Sequence, residues 1–108
     1  MSRNAKLTTR GQVNVGEIAD LAAQGYRLLI NNRPDGEAPD QPSSDDLQAE
    51  AQRHGMAYCH IPVLPGQASD SDAQAFREAV EKADGPVVAF CRTGARANTL
   101  HNMAQQAD

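Results

Sequence analysis

Val87-Val88-Ala89-Phe90-Cys91-Arg92-Thr93-Gly94-Ala95-Arg96 is the stretch on which the fold turns. Its first four residues follow Gly85-Pro86, are wholly apolar and are too few for a helix, so they predict a buried strand. Beyond the loop, Ala97, Leu100, Met103 or Ala104, and Ala107 mark one side of a helix. Cys91 thus stands where a buried strand ends and a helix is about to begin. Backbone N–H groups of the connecting residues can turn inward there, and the helix N-terminus adds partial positive charge. Arg96 can return a planar guanidinium to the same spot, and Gly94 admits a tight turn. A thiol in such a field ionises below its free value of about 8.5 and becomes a nucleophile near neutral pH. The plainer reading makes Cys91 a small hydrophobe that finishes a strand. Arg92 and Arg96 weigh against it, because cations beside a buried cysteine are costly unless an anion or thiolate shares the space.

The same pattern repeats outward along the chain. Tyr26 to Ile30 reads as a second buried strand, Ala57 to Ile61 as a weaker third halted by Pro62, and Leu7-Thr8-Thr9 as a further edge strand. Between them lie three more helices. Asn14 and Glu17 form a capping-box pattern ahead of Ile18, Leu21 and Ala22, and Gly25 stops that helix. A second helix starts near Ser43 or Ser44 and ends at Gly55. The third begins between Ser69 and Asp72 and buries Ala73, Phe76, Val80 and Ala83. The alternation predicts one α/β domain over residues 1–108, a mostly parallel sheet of about four strands flanked by helices. Sites in such sheets gather at the carboxyl ends of the strands. That selects the loops 31–42, 62–68 and 91–96.

The 108 residues carry a net charge of −4 and a pI near 5.2, which argues against nucleic acid as a partner. No apolar run approaches the ~20 residues of a membrane span. The basic start, Met1 to Lys6, lacks the apolar core of a secretion signal, so a cytoplasmic setting is expected, with Cys59 and Cys91 as thiols. The spacing of Cys and His gives no metal site, and no cofactor is implied.

Cys91-Arg92-Thr93-Gly94-Ala95-Arg96 resembles the Cys-x-x-Gly-x-Arg loop of rhodanese-type sulfurtransferases. Leu28 to Glu37 (LLINNRPDGE), with Gln41-Pro42 after it and Gly11-Gln12 before it, resembles the phosphatase-like domain of the beta-lactamase-hydrolase-like proteins. This likeness runs over about residues 7–107. It implies a fold similar to dual-specificity protein phosphatases, occurring alone or fused to a metallo-hydrolase domain of the persulfide dioxygenase type. With no such partner in the sequence, the chain looks like the stand-alone form. The family is described both as phosphatase-like and as sulfurtransferase, so two reactions come with the resemblance.

Three departures from the phosphatase pattern favour sulfur transfer. The spacing is Cys-x4-Arg, with Ala97 where phosphatases of this fold place their arginine. The loop Pro62 to Ala68 carries no general acid, and Phe90 stands where phosphatases usually have histidine. Asp70 and Asp72 read more simply as charges at a helix N-terminus. The leading expectation is therefore a rhodanese-like enzyme. Cys91 thiolate takes a sulfane sulfur from a small anionic donor, thiosulfate or a persulfide, and passes it to an acceptor thiol. Loop N–H groups of Arg92, Thr93, Gly94 and Ala95, with Arg96, hold the anion, while Arg92 faces solvent. The alternative is a cysteine-dependent phosphatase working through a phosphocysteine. A non-enzymatic persulfide carrier, or a docking module for a persulfide dioxygenase, is the third reading. Arg33 and Asp35 lie in a Pro-Asp-Gly turn that is either structural or reaches the Cys91 pocket, and Gln12 is a candidate for its rim. Cys59 beside His60 looks catalytic on paper, but neighbours on a strand face opposite ways, so Cys59 reads as core. His54 reads as a helix C-terminal cation, and His101 lies near the Leu100 stripe.

Overall fold

In the computed structural model, which describes residues 7–106, four strands alternate with four helices. They are β1 (Leu7–Arg10), α1 (Ile18–Ala23), β2 (Leu28–Asn31), α2 (Ser44–Arg53), β3 (Ala57–His60), α3 (Asp70–Lys82), β4 (Val87–Phe90) and α4 (Ala95–Gln106). A 3-10 turn, Val15–Glu17, leads into α1. The sheet is four-stranded and wholly parallel in the order β1-β4-β2-β3. The registers pair Arg10 with Phe90, Asn31 with Phe90 and Asn31 with His60. All four strands therefore end at one level, and the chain leaves them along a single edge.

Alternation along the two central strands divides the core. Leu28, Ile30, Val87 and Ala89 face a cluster completed by Ala73 and Phe76 of α3 and by Ala97, Leu100 and Ala104 of α4. Leu29, Val88 and Phe90 face the other way, onto Ile18 and Leu21 of α1 and Leu47 and Ala51 of α2. Burial on both faces explains why β2 and β4 are continuously apolar in sequence.

The helix ends follow their sequence signals. Ser43 Oγ accepts the Asp46 N–H at 3.1 Å at the start of α2. Ser69 Oγ does the same for Asp72 ahead of α3, and Asp72 answers by accepting the Ser69 N–H at 3.1 Å. Before α1, the Glu17 carboxylate accepts the Asn14 N–H at 2.8 Å. Gly25 and Gly55 adopt positive φ just past α1 and α2. Three expectations need adjusting. β2 runs over Leu28–Asn31, because the Tyr26 N–H is spent closing α1 on the Leu21 carbonyl at 3.2 Å. Val80 and Ala83 pack against the α3/α4 cluster only partly buried. Ala107 lies outside the described residues.

Candidate active site

The common edge of the sheet brings Gln12, Asn32, Arg33, Val63 and Cys91 into one region, each just past the end of its strand. The Cys91 loop is pinned to β1 from below. Gln12 N–H donates to the Arg92 carbonyl at 3.2 Å, and Cys91 N–H reaches the Arg10 carbonyl at 3.4 Å. Gly94 takes φ +99, and a Cβ there would lie 3.2 Å from the Arg10 carbonyl carbon. Only glycine satisfies both the handedness and the close approach.

Cys91 is buried, with 1% of its surface exposed. Its Sγ accepts the N–H of Gly94 at 3.1 Å and of Arg96 at 3.3 Å. Burial alone would push the thiol up. Backbone N–H groups of Ala97, Thr93, Arg96 and Gly94 outweigh it and hold the thiol below its ordinary value. The activating field is thus that of the main chain at the start of α4. Cys59, by contrast, is pushed up by burial and packs against the α3/α4 cluster, as its reading as core required.

The Arg96 guanidinium does not stand free for an anion. Nη1 and Nη2 donate to the two oxygens of Glu37 at 2.8 and 3.0 Å, and Nη1 also donates to the Val63 carbonyl at 2.8 Å. Glu37 accepts from Arg33 Nε as well, at 2.8 Å. One carboxylate so joins two arginines, and Arg96 first, then Arg33, hold it down to about 2. Arg33 Nη1 in turn donates to Gln12 Oε1 at 2.8 Å. Arg92 is exposed, as expected. The charge of Arg96 beside the buried cysteine is balanced by Glu37, where the sequence suggested a bound anion. Glu37 itself escaped the sequence reading, although it stands four residues from Arg33 across the Pro-Asp-Gly turn.

Asp35 is not at this site. Its Oδ1 accepts the Ser44 N–H at 2.8 Å, so it serves the first turn of α2. Arg33 and Gln12 do reach the cysteine region, through Glu37. The segment presenting them is held from several sides. Asn31 Oδ1 accepts the Arg33 N–H at 2.8 Å, and its Nδ2 donates to the Tyr58 hydroxyl at 3.0 Å, which also bonds Ser44 Oγ at 2.7 Å. Gln41 Oε1 accepts the Glu37 N–H at 3.1 Å while its Nε2 donates to the Pro34 carbonyl at 2.8 Å. His60 Nε2 hydrogen-bonds the Arg33 carbonyl at 2.9 Å. Two remaining histidines are accounted for locally: His54 pairs with Glu50, and burial lowers His101 near the Phe76 ring.

A cleft of about 180 Å³, lined by Val63, Gly66, Ala68, Arg96, Thr99 and Met103, opens beside Arg96. A wider one, about 760 Å³, lies between α3 and α4 and is lined by Asp70, Gln74 and Glu78 among others, with neither Cys91 nor Arg96 on its wall. Asp72 is spent in its cap. Among the described residues, no helix is long and apolar enough to cross a membrane.

Comparison with known proteins fits this geometry. The family model for the phosphatase-like domain of beta-lactamase hydrolase-like protein matches residues 3–108. The beta-lactamase hydrolase-like protein of Xylella fastidiosa is 41% identical over 105 residues, 97% of this chain and 24% of that protein. The chain therefore spans about a quarter of the length of the curated relatives it matches. A candidate phosphatase from Neisseria meningitidis superposes with a TM-score of 0.83 at 29% identity, covering 91% of this chain and 70% of that one. Pseudomonas aeruginosa TpbA, solved in complex with phosphotyrosine, superposes with a TM-score of 0.62 over 88% of this chain and 54% of its own, at 15% identity. The fold is that of the tyrosine and dual-specificity phosphatases. These likenesses favour the phosphatase alternative over sulfur transfer, for which they give no support. With its cysteine loop on a parallel sheet and a family match over nearly its whole length, the chain belongs to the family of the beta-lactamase hydrolase-like protein, phosphatase-like domain.

Proposed function

We propose that this chain is a cysteine-nucleophile enzyme, in which Cys91 thiolate takes a small group from an anionic donor and holds it as a covalent intermediate. One observation carries the reading: a buried sulfur, at the end of a central strand, accepts two main-chain N–H groups and is held below its ordinary pKa. The family and its structural neighbours favour phosphoryl transfer as the chemistry. Sγ attacks phosphorus, the leaving oxygen departs, and water then cleaves the phosphocysteine to return the thiolate. Loop N–H groups stabilise the phosphoryl oxygens. Departure of an alkoxide needs a proton. The carboxylate on the loop's arginine, Glu37, stays ionised to about pH 2 and cannot give one. The substrates best served are therefore phosphates of acidic phenols, p-nitrophenol among them, whose phenolates depart without a proton.

A specific observation favours a second reading, sulfur transfer. The loop is one residue shorter than in phosphatases of this fold, and its N–H donors converge on Sγ itself. Cys91 would attack the sulfane sulfur of thiosulfate or a persulfide, releasing sulfite or a thiolate, and an acceptor thiol would then remove the outer sulfur. No proton donor is needed. A cytoplasmic setting and a metallo-hydrolase-fold dioxygenase as partner belong with that reading.

Turnover of p-nitrophenyl phosphate, and separately of thiosulfate with cyanide, tests both on wild type and Cys91→Ser. Aryl phosphate hydrolysis that disappears in Cys91→Ser is expected, together with a phosphoryl-sized mass increase on Cys91. Sulfur turnover far above phosphate turnover, with a one-sulfur adduct, would move the assignment to the second reading. Equal activity in Cys91→Ser would refute the cysteine mechanism altogether, and an adduct without turnover would make the chain a carrier.

A further inference from the structure

Pro62 stands where β3 hands the chain over to the loop that carries Val63, and proline brings no N–H to hold this crossing. The bonds that fix it come from the end of β2. Ile61 N–H donates to the Asn31 carbonyl at 2.9 Å, and Val63 N–H donates to the Asn32 carbonyl at 3.0 Å. Between them, Asn32 Nδ2 donates to the Ile61 carbonyl at 2.9 Å. Asn32 therefore grips the residues on both sides of Pro62, one with its side chain and the other with its main chain. It is itself tied to β4, through its N–H on the Phe90 carbonyl at 2.8 Å.

Asn32 is fully buried, and its Oδ1 has no hydrogen-bond partner. The Ile61 carbonyl can only accept, so nitrogen faces it and oxygen is the orphan. The amide thus satisfies one buried atom and leaves another unpaired, a poor exchange for stability alone. What the grip secures lies one residue further on. The Val63 carbonyl accepts Arg96 Nη1 at 2.8 Å and, with Glu37, anchors the guanidinium. The Arg96 main-chain N–H meanwhile donates to Cys91 Sγ at 3.3 Å. Glu37 first, and Cys91 as well, favour the charged form of this arginine. Hydrogen bonds therefore run from Asn32 through residues 61–63 to Arg96, and from Arg96 to the nucleophile.

We propose that Asn32 is a positioning residue, holding the Pro62 crossing so that the Val63 carbonyl keeps the Arg96 guanidinium placed for an anionic donor beside Cys91. The role rests on the reading of Cys91 as a nucleophile towards anions. Asn32 touches no reacting atom and acts only through Val63 and Arg96. The preference of the site for anions then depends on Asn32. Activation of Cys91 does not, because the N–H groups of Gly94 and Arg96 that reach Sγ belong to the loop and to α4.

Alkylation of Cys91 by neutral iodoacetamide and by anionic iodoacetate, followed by intact mass, separates the two properties. Iodoacetamide reads the thiolate, and the ratio of the iodoacetate rate to the iodoacetamide rate reads the guanidinium. Asn32→Leu should leave the iodoacetamide rate within roughly twofold of wild type and lower the ratio roughly 10-fold, the scale of one lost hydrogen bond in a positioned site. Arg96→Ala should lower the ratio too, and adding Asn32→Leu to it should lower it no further. A merely structural role would move both reagents together and would add to the effect of Arg96→Ala. An unchanged ratio in either single variant, or additive losses in the double variant, overturns the inference. If Asn32→Leu does not fold, Asn32→Ser, whose hydroxyl is too short to reach the Ile61 carbonyl, is judged by the same ratio. Wild-type Cys91 that reacts with iodoacetamide no faster than Cys59 defeats the nucleophile reading. A fast Cys91 whose ratio is indifferent to Asn32 defeats this inference alone.

Discussion

Replacing Glu37 by glutamine removes the charge that ties Arg33 and Arg96 together and leaves a side chain of the same size. The two arginines lower this carboxyl from 4.5 to about 2. At about 1.4 kcal/mol per pH unit, that sets a ceiling of roughly 3 kcal/mol on the clasp. The side chain remains 19% exposed and Arg96 12%, so solvent screening brings the expected loss to about 1–2 kcal/mol. For a domain of this size the melting temperature should fall by roughly 5–10 °C at neutral pH. The sign follows from the depressed folded-state value. The stabilisation is complete above the unfolded carboxyl's 4.5 and disappears as pH falls through about 2. Wild type and Glu37→Gln should therefore differ most at pH 7 and converge between pH 4.5 and 2. Anion binding should move oppositely. With the carboxylate gone, the Arg96 guanidinium beside the cysteine is uncompensated, and sulfate should protect Cys91 from alkylation at lower concentration. Turnover should nevertheless drop, because Arg96 loses its two-oxygen clasp and keeps at most one bond to the glutamine amide beside its bond to the Val63 carbonyl. Thermal melts across pH and sulfate-protected alkylation read these effects separately. A melting difference that persists unchanged at pH 2, or weaker sulfate protection in the variant, would refute the idea that Glu37 acts as counter-charge.

The remaining predictions concern the loop itself. Main-chain donors lower the Cys91 thiol while burial raises Cys59, so iodoacetamide near pH 6 should label Cys91 first, with the preference shrinking as pH rises through both values. Equal labelling across that range would show that the N–H groups do not activate the sulfur. Gly94→Ala must accept φ +99 and a Cβ 3.2 Å from the Arg10 backbone, which should cost about 1–3 kcal/mol in urea unfolding and most of the turnover. A variant as stable and active as wild type would mean the loop tolerates another path.

The strand before Cys91, the glycine within its loop and the helix after it were legible because each signal is local. A short apolar run bounded by Gly85-Pro86, a positive φ at Gly94 and apolar spacing from Ala97 to Ala104 constrain the chain within a few residues of themselves. The partner of Arg96 was not legible, since Glu37 stands 59 positions away and only the register between β2 and β4 brings them together. The identity of the pocket carboxylate failed for a related reason. Asp35 and Glu37 flank Gly36 in a segment without helical or strand periodicity, so nothing in the spacing says which of them turns inward. What decides is already committed elsewhere. The first turn of α2 takes Asp35 through the Ser44 N–H, while Gln41 holds the Glu37 backbone and leaves its carboxylate between two arginines. The nucleophile could be found by pattern, then, but its counter-charge belongs to tertiary geometry. Glu37 offsets the Arg96 charge beside the loop and so limits how much further negative charge that loop attracts.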